Sequence, residues 1–115
     1  MKFLNNSNVF WFSCENIDDV VEKINTEIFN YIEIMGDTSF YLEYEIRCNN
    51  YQFIVELQYI NNHYTCELYY IDDKIHEYLT NIDLDMENKQ IINKGTVKNY
   101  ICDVLGMGVK IYGLT

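Results

Sequence analysis

Between residues 39 and 72 the chain alternates apolar and polar positions with a period of two, in three runs separated by two Asn-Asn pairs. In the first run Phe40, Leu42, Tyr44, Ile46 and Cys48 share one face, while Tyr41, Glu43, Glu45 and Arg47 share the other. A period of two is that of a half-buried strand, because successive side chains leave a strand on opposite sides. Asn49 and Asn50 precede the second run, and Asn61 and Asn62 precede the third. Asn tolerates the positive φ that a two-residue hairpin loop requires. The stretch therefore predicts a three-stranded antiparallel meander with two tight turns.

Such turns dictate which residues oppose each other. On the apolar face Cys48 meets Tyr51, Ile46 meets Phe53, Tyr44 meets Val55 and Leu42 meets Leu57. Across the second turn Tyr59 meets Tyr64, Leu57 meets Cys66, Val55 meets Leu68 and Phe53 meets Tyr70. The polar face then carries a row of three like charges, with Glu43 opposite Glu56 and Glu56 opposite Glu67. Directly opposed like charges cost about 0.2–1 kcal/mol per pair. A cation or basic partner compensates such a row, or water screens it.

The flanking pattern supplies elements to cover the apolar face. Residues 9–13 predict a strand with Phe10 and Phe12 on one side and Val9 and Trp11 on the other. Trp11 is expected as a core anchor; an exposed Trp11 would instead be an interface hot-spot candidate. Phe3 is a candidate start for an earlier short strand. Ile17, Val20, Val21, Ile24, Ile28, Tyr31 and Ile32 recur at helical spacing, with Asn16 as N-cap and Gly36 as the C-terminal stop. A helix over about 17–34 is expected to lie on the meander, since each buries the other's apolar stripe.

After the meander, Asp72 and Asp73 are expected to cap a short helix containing Ile75, Tyr78 and Leu79. Residues 80–92 are expected to hold a turn and a short edge strand. Thr96 is the expected N-cap of a short last helix ended by Gly106 and Gly108, followed by a final strand over 109–114 that could pair beside the first. The predicted fold class is α+β, with a mainly antiparallel sheet, in one domain spanning residues 1–115.

Charge changes this picture more than composition does. The net charge is −10 and it is unevenly spread. Residues 1–73 hold thirteen acids and three bases, whereas residues 74–115 hold five of each. A field of that sign repels nucleic acid and anionic membrane and accelerates association with a basic protein. The chain contains four cysteines with no CxxC pair, no apolar leader and no stretch of membrane-spanning length, which together predict a reduced, cytoplasmic protein.

Catalytic signatures are lacking. His63 and His76 accompany no recognisable nucleophile, and the acids around Cys14 oppose formation of its thiolate. Gly106, Met107 and Gly108 follow a predicted helix, so they make no phosphate loop. The acidic run from Asp83 places Asn88 and Lys94 where a calcium loop needs Gly and Glu. No cofactor, no metal and no catalytic residue is expected. Clustered Lys and Arg, which phosphate binding requires, are also missing.

What remains is a rigid face that combines carboxylates with aromatic groups. Tyr41, Glu43, Glu45, Glu56, Glu67 and Tyr69 are the candidate partner-binding residues. Their carboxylates are expected about 5–7 Å apart, on the scale of charge repeats along a nucleic-acid strand. The expected function is a small, acidic, non-enzymatic inhibitor that occupies the basic surface of a nucleic-acid-processing protein. A phage-type anti-defence protein (anti-CRISPR or nucleic-acid mimic) is the leading role. An immunity protein neutralising a basic nuclease toxin is the alternative, and a small structural or regulatory subunit with a merely solvated acidic face is a third.

Overall fold

Two asparagine turns hold the centre of the fold. The computed structural model describes residues 7–13, 16–73 and 75–114, with side chains described from 9 to 106 within those segments. The expected strand start at Phe3 and the thiol of Cys14 lie outside the described residues. Strands β2 (Phe40–Cys48), β3 (Tyr51–Ile60) and β4 (His63–Ile71) form the meander. Asn61 and Asn62 both take positive φ, as a type I′ hairpin loop requires; in the first turn Asn49 does so. The register is the one the turns dictate, including Glu43 opposite Glu56 and Glu56 opposite Glu67.

Two strands extend the meander into a five-stranded sheet of order β1-β2-β3-β4-β5. Strand β1 (Ser7–Phe12) runs parallel to β2, because helix α1 (Ile17–Met35) carries the chain back across the sheet between them. Every other pairing in the sheet is antiparallel. The fold is therefore α+β, with a mainly antiparallel sheet and, among the described residues, two helices.

Helix α1 covers the apolar face. Val20, Ile24, Ile28, Phe29 and Ile32 are buried in one cluster with Phe40, Leu42, Tyr44, Ile46, Phe53, Val55, Leu57 and Leu68. Removing that much aliphatic and aromatic surface from water is the main stabilising term, at about 25 cal/mol per Å². The Tyr44 hydroxyl donates to the Glu27 carbonyl at 2.8 Å, which satisfies the one polar atom that this ring carries into the core. Asn16 occupies the N-cap without a capping bond from its side chain, whose amide donates to Asp19 instead.

Several expectations are corrected. The described residues between 72 and 79 form no helix, and from His76 they belong to strand β5 (His76–Asn81). Asp72 is a turn residue, with its carboxylate accepting from the Ile75 N–H at 2.8 Å and its own N–H donating to the Ile75 carbonyl at 2.9 Å. A β-bulge opposite Leu68 and Tyr69 shifts the register of β5 by one residue, so that Tyr78 rather than Leu79 lies opposite Tyr69. That irregularity left an apolar spacing resembling a helix turn. Residues 109–114 form no strand either: helix α2 (Lys94–Leu114) continues through them. Gly106 keeps a helical backbone, having no positive φ, and so does not stop the helix. No strand therefore joins β1 on its outer side among the described residues. Trp11, lastly, is no core anchor, since 67% of its surface is exposed.

The connection from β5 to α2 is a small hairpin of β6 (Leu84–Asp85) and β7 (Gln90–Ile91), separate from the main sheet. It is pinned by Asn25, a buried polar residue of α1 whose side-chain oxygen accepts from the Ile91 N–H at 2.6 Å. Helix α2 then packs Val97, Ile101 and Val104 into the same core. None of the helices described is long and apolar enough to cross a membrane.

The end of α1 generates a test. The Gly36 N–H donates to the Ile32 carbonyl at 3.0 Å, and Gly36 holds φ at +60° with no atom within 4 Å of a built Cβ. Gly36→Ala thus meets open space yet forces a left-handed backbone on an L-residue. It is expected to lower stability by about 1–2 kcal/mol in urea denaturation. Equal midpoints for the two proteins would contradict this account of the cap.

Candidate functional site

The helices leave one face of the sheet without a covering layer. Along β2 the burial alternates strictly, with the α1-facing residues buried and Tyr41, Glu43, Glu45 and Arg47 only partly so. The same alternation in β3 and β4 leaves Gln52, Ile54, Glu56, Gln58, Glu67 and Tyr69 partly exposed. Five of the six candidate residues meet in one continuous cluster there.

Glu56 is the centre of that cluster. The Tyr41 hydroxyl donates to Glu43 at 2.7 Å and also reaches Glu56. On the far side the Tyr69 hydroxyl donates to Glu67 at 3.2 Å. One tyrosine therefore bridges Glu43 and Glu56, and the other holds Glu67 from the far side. Burial and the neighbouring carboxylates together push both phenols up, Tyr69 to about 12 and Tyr41 further. Both remain protonated donors at neutral pH. Their dipoles soften the repulsion within the row but cancel none of its charge.

Tyrosine bracketing was neither of the two compensations expected for this row. The signal was present in the sequence, since Tyr41 stands two residues before Glu43 and Tyr69 two after Glu67, on the same strand face. Glu45 belongs elsewhere. Its carboxylate pairs with the Arg47 guanidinium at 2.8 Å and accepts from Gln52 at 2.6 Å, so its charge is locally neutralised.

Three bases of the C-terminal third pair with α1 and not with the row. Lys94 pairs with Glu22 at 2.9 Å, Lys98 with Asp18 at 2.8 Å and Lys89 with Glu33 at 3.8 Å, all on α1. Among the described residues no Lys or Arg pairs with Glu43, Glu56 or Glu67. The helical layer thus balances part of its own charge, and the uncovered sheet face keeps a net negative row.

Elsewhere the chemistry is structural. Burial pushes the Cys66 thiol well above its ordinary range, and Cys48 is likewise buried. In the acidic turn after β6 the Asp85 carboxylate accepts from the backbone N–H groups of Glu87 and Asn88 at 3.1 Å and from the Asn88 amide at 2.8 Å. The Asn88 side chain contributes most to holding Asp85 below its usual carboxylate range. That carboxylate closes a turn. Among the described residues no group of three His, Cys, Asp or Glu is arranged to hold a metal ion. An open groove of about 480 Å³ runs from His63 and Thr65 to Asp83 and Met86, and none of the three glutamates lines it.

No protein-family model matches the chain, and no curated protein or solved structure matches it either.

The bracket gives a double-mutant test. Tyr41→Phe removes the hydroxyl that separates two facing carboxylates and is expected to destabilise the fold by about 1 kcal/mol at neutral pH. In a Glu56→Gln background, where the repulsion is already gone, the same change should cost clearly less. Urea denaturation of the four proteins measures this. Equal losses in both backgrounds would contradict the bracketing role.

Proposed function

We propose that the uncovered sheet face binds a basic protein surface, and that the protein is a non-enzymatic inhibitor of a nucleic-acid-processing partner. The observation that carries this reading is the row Glu43, Glu56 and Glu67, aligned across three paired strands with no cation of the described chain upon it. A strand scaffold fixes the spacing of these charges, so they lose little conformational freedom on binding. Their negative potential steers a groove built for phosphates towards this face.

Trp11 adds to the reading. It projects from the edge strand on the same face as Glu43 and Glu45, exposed for 67% of its surface, and Trp is enriched among residues that dominate binding energy. In the cell this activity fits a phage-type anti-defence protein acting in the host cytoplasm. The captured partner identifies the role: a defence nuclease supports it, and a toxin nuclease encoded beside this chain supports the immunity role instead.

The test is capture from the source cell with the wild-type protein and with the triple variant Glu43→Gln, Glu56→Gln, Glu67→Gln. The variant is expected to stay folded, with stability equal or slightly raised, and to lose the partner. Binding by the wild type should weaken steeply with added salt, because the Debye length is about 10 Å at 0.1 M and shrinks further above it. A variant that retains the partner at wild-type affinity would show the row to be a tolerated surface cost.

A further inference from the structure

We infer that the uncovered face carries a seat for an arginine side chain of the bound protein, formed by Tyr78 and Tyr69 beside Glu67. This rests on the reading that the acidic face binds a basic protein, and it names the chemistry that the face selects.

The chain itself shows what the face does with a guanidinium. Arg47 projects from β2 onto this side of the sheet, with its guanidinium carbon 4.9 Å from the centre of the Trp11 ring. Its Nε donates to Glu45 at 2.8 Å, and a terminal nitrogen of the same guanidinium lies 2.8 Å from that carboxylate oxygen. Aromatic ring and carboxylate together thus hold one planar cation. Arginine suits such a site better than lysine, because its flat, weakly hydrated head stacks on a ring while its N–H fork meets a carboxylate.

The opposite end of the face repeats these parts. Tyr69 stands directly across from Tyr78, with ring centres 5.6 Å apart at 71°. The Tyr69 hydroxyl meets Glu67, whose carboxylate lies two residues along the same strand. His76 supports the arrangement from β5, its ring 4.7 Å from that of Tyr69 and nearly perpendicular to it. Tyr78 is 45% exposed, which leaves it accessible to a bound side chain. Among the described residues no Lys or Arg pairs with Glu67 or stacks on Tyr69 or Tyr78.

The bulge in β5 puts the second ring there. From Asn81 opposite Glu67 and Thr80 opposite Leu68, a regular ladder would continue with Leu79 opposite Tyr69. The bulge advances the register by one residue, so Tyr78 takes that place and Leu79 packs against the core. A one-residue shift exchanges the two faces of a strand, and bulges recur where a strand must re-aim a side chain. Without it this end of the face would present a leucine.

The experiment is an NMR titration of the full chain with methylguanidinium and, separately, methylammonium, following the ring signals of Tyr69, Tyr78 and Trp11. Methylguanidinium is expected to shift Tyr69 and Tyr78 saturably and to bind about two- to fivefold more tightly than methylammonium. Trp11 should barely respond, because Arg47 already occupies it, and should become responsive in Arg47→Ala. Tyr78→Ala and Glu67→Gln should each abolish the Tyr69 response while leaving the rest of the spectrum folded. Equal shifts with both cations, no saturable shift at Tyr69 and Tyr78, or a Tyr69 response that survives Tyr78→Ala would each overturn the seat. Such a failure is separable from failure of the wider reading, which falls if the triple glutamine variant keeps its captured partner.

Discussion

The structure depends on register. Two loops of two residues each lock β2, β3 and β4 into one alignment, and a strand has only two faces to distribute. Once Phe53 lies opposite Ile46 and Tyr70, Glu56 must lie opposite Glu43 and Glu67. The apolar face that α1 covers and the acidic face it leaves open therefore have a single cause. A slip of one residue in β3 would carry Phe53, Val55 and Leu57 to the open side and set Glu56 against the helix. The cost of burying an unpaired carboxylate there far exceeds the repulsion within the glutamate row.

Charge in this chain is sorted by layer. Lys89, Lys94 and Lys98 tie the C-terminal third to α1 through Glu33, Glu22 and Asp18, and so help dock the helices on each other. These exposed pairs are individually weak, contributing about 0–1 kcal/mol each. Their placement matters more than their strength, because it leaves the sheet face without those cations. There the chain uses neutral donors. Tyr41 bridges Glu43 and Glu56 and Tyr69 holds Glu67, and the resulting surface is ordered without being neutralised.

The parts legible in the sequence were those governed by local period. Strict alternation around the Asn pairs was enough to place β2, β3 and β4 and to pair Glu43, Glu56 and Glu67. Helix α1 followed from the spacing of Val20, Ile24 and Ile28 and from Gly36 after its last turn. Reading failed where one residue breaks a period or where distant segments meet. The bulge in β5 made Tyr78 and Leu79 look like neighbours on a helix face. Gly106 resembled a stop, yet a glycine ends a helix only when the chain beyond it leaves the helical path. Trp11 was assigned to the right side of its strand, but nothing in a single chain's pattern says which side the helices will cover. The pairing of Lys94 with Glu22 joins residues far apart in sequence and is set by how α2 docks.

In the proposed function a basic groove recognises this face in place of nucleic acid. The most direct measurement is displacement: adding the protein to its captured partner already loaded with labelled nucleic acid, and following the label. The account predicts that the nucleic acid leaves as the protein binds, in proportion to occupancy, with no stable ternary complex. Simultaneous binding of both ligands, with the nucleic acid's affinity unchanged, would contradict it.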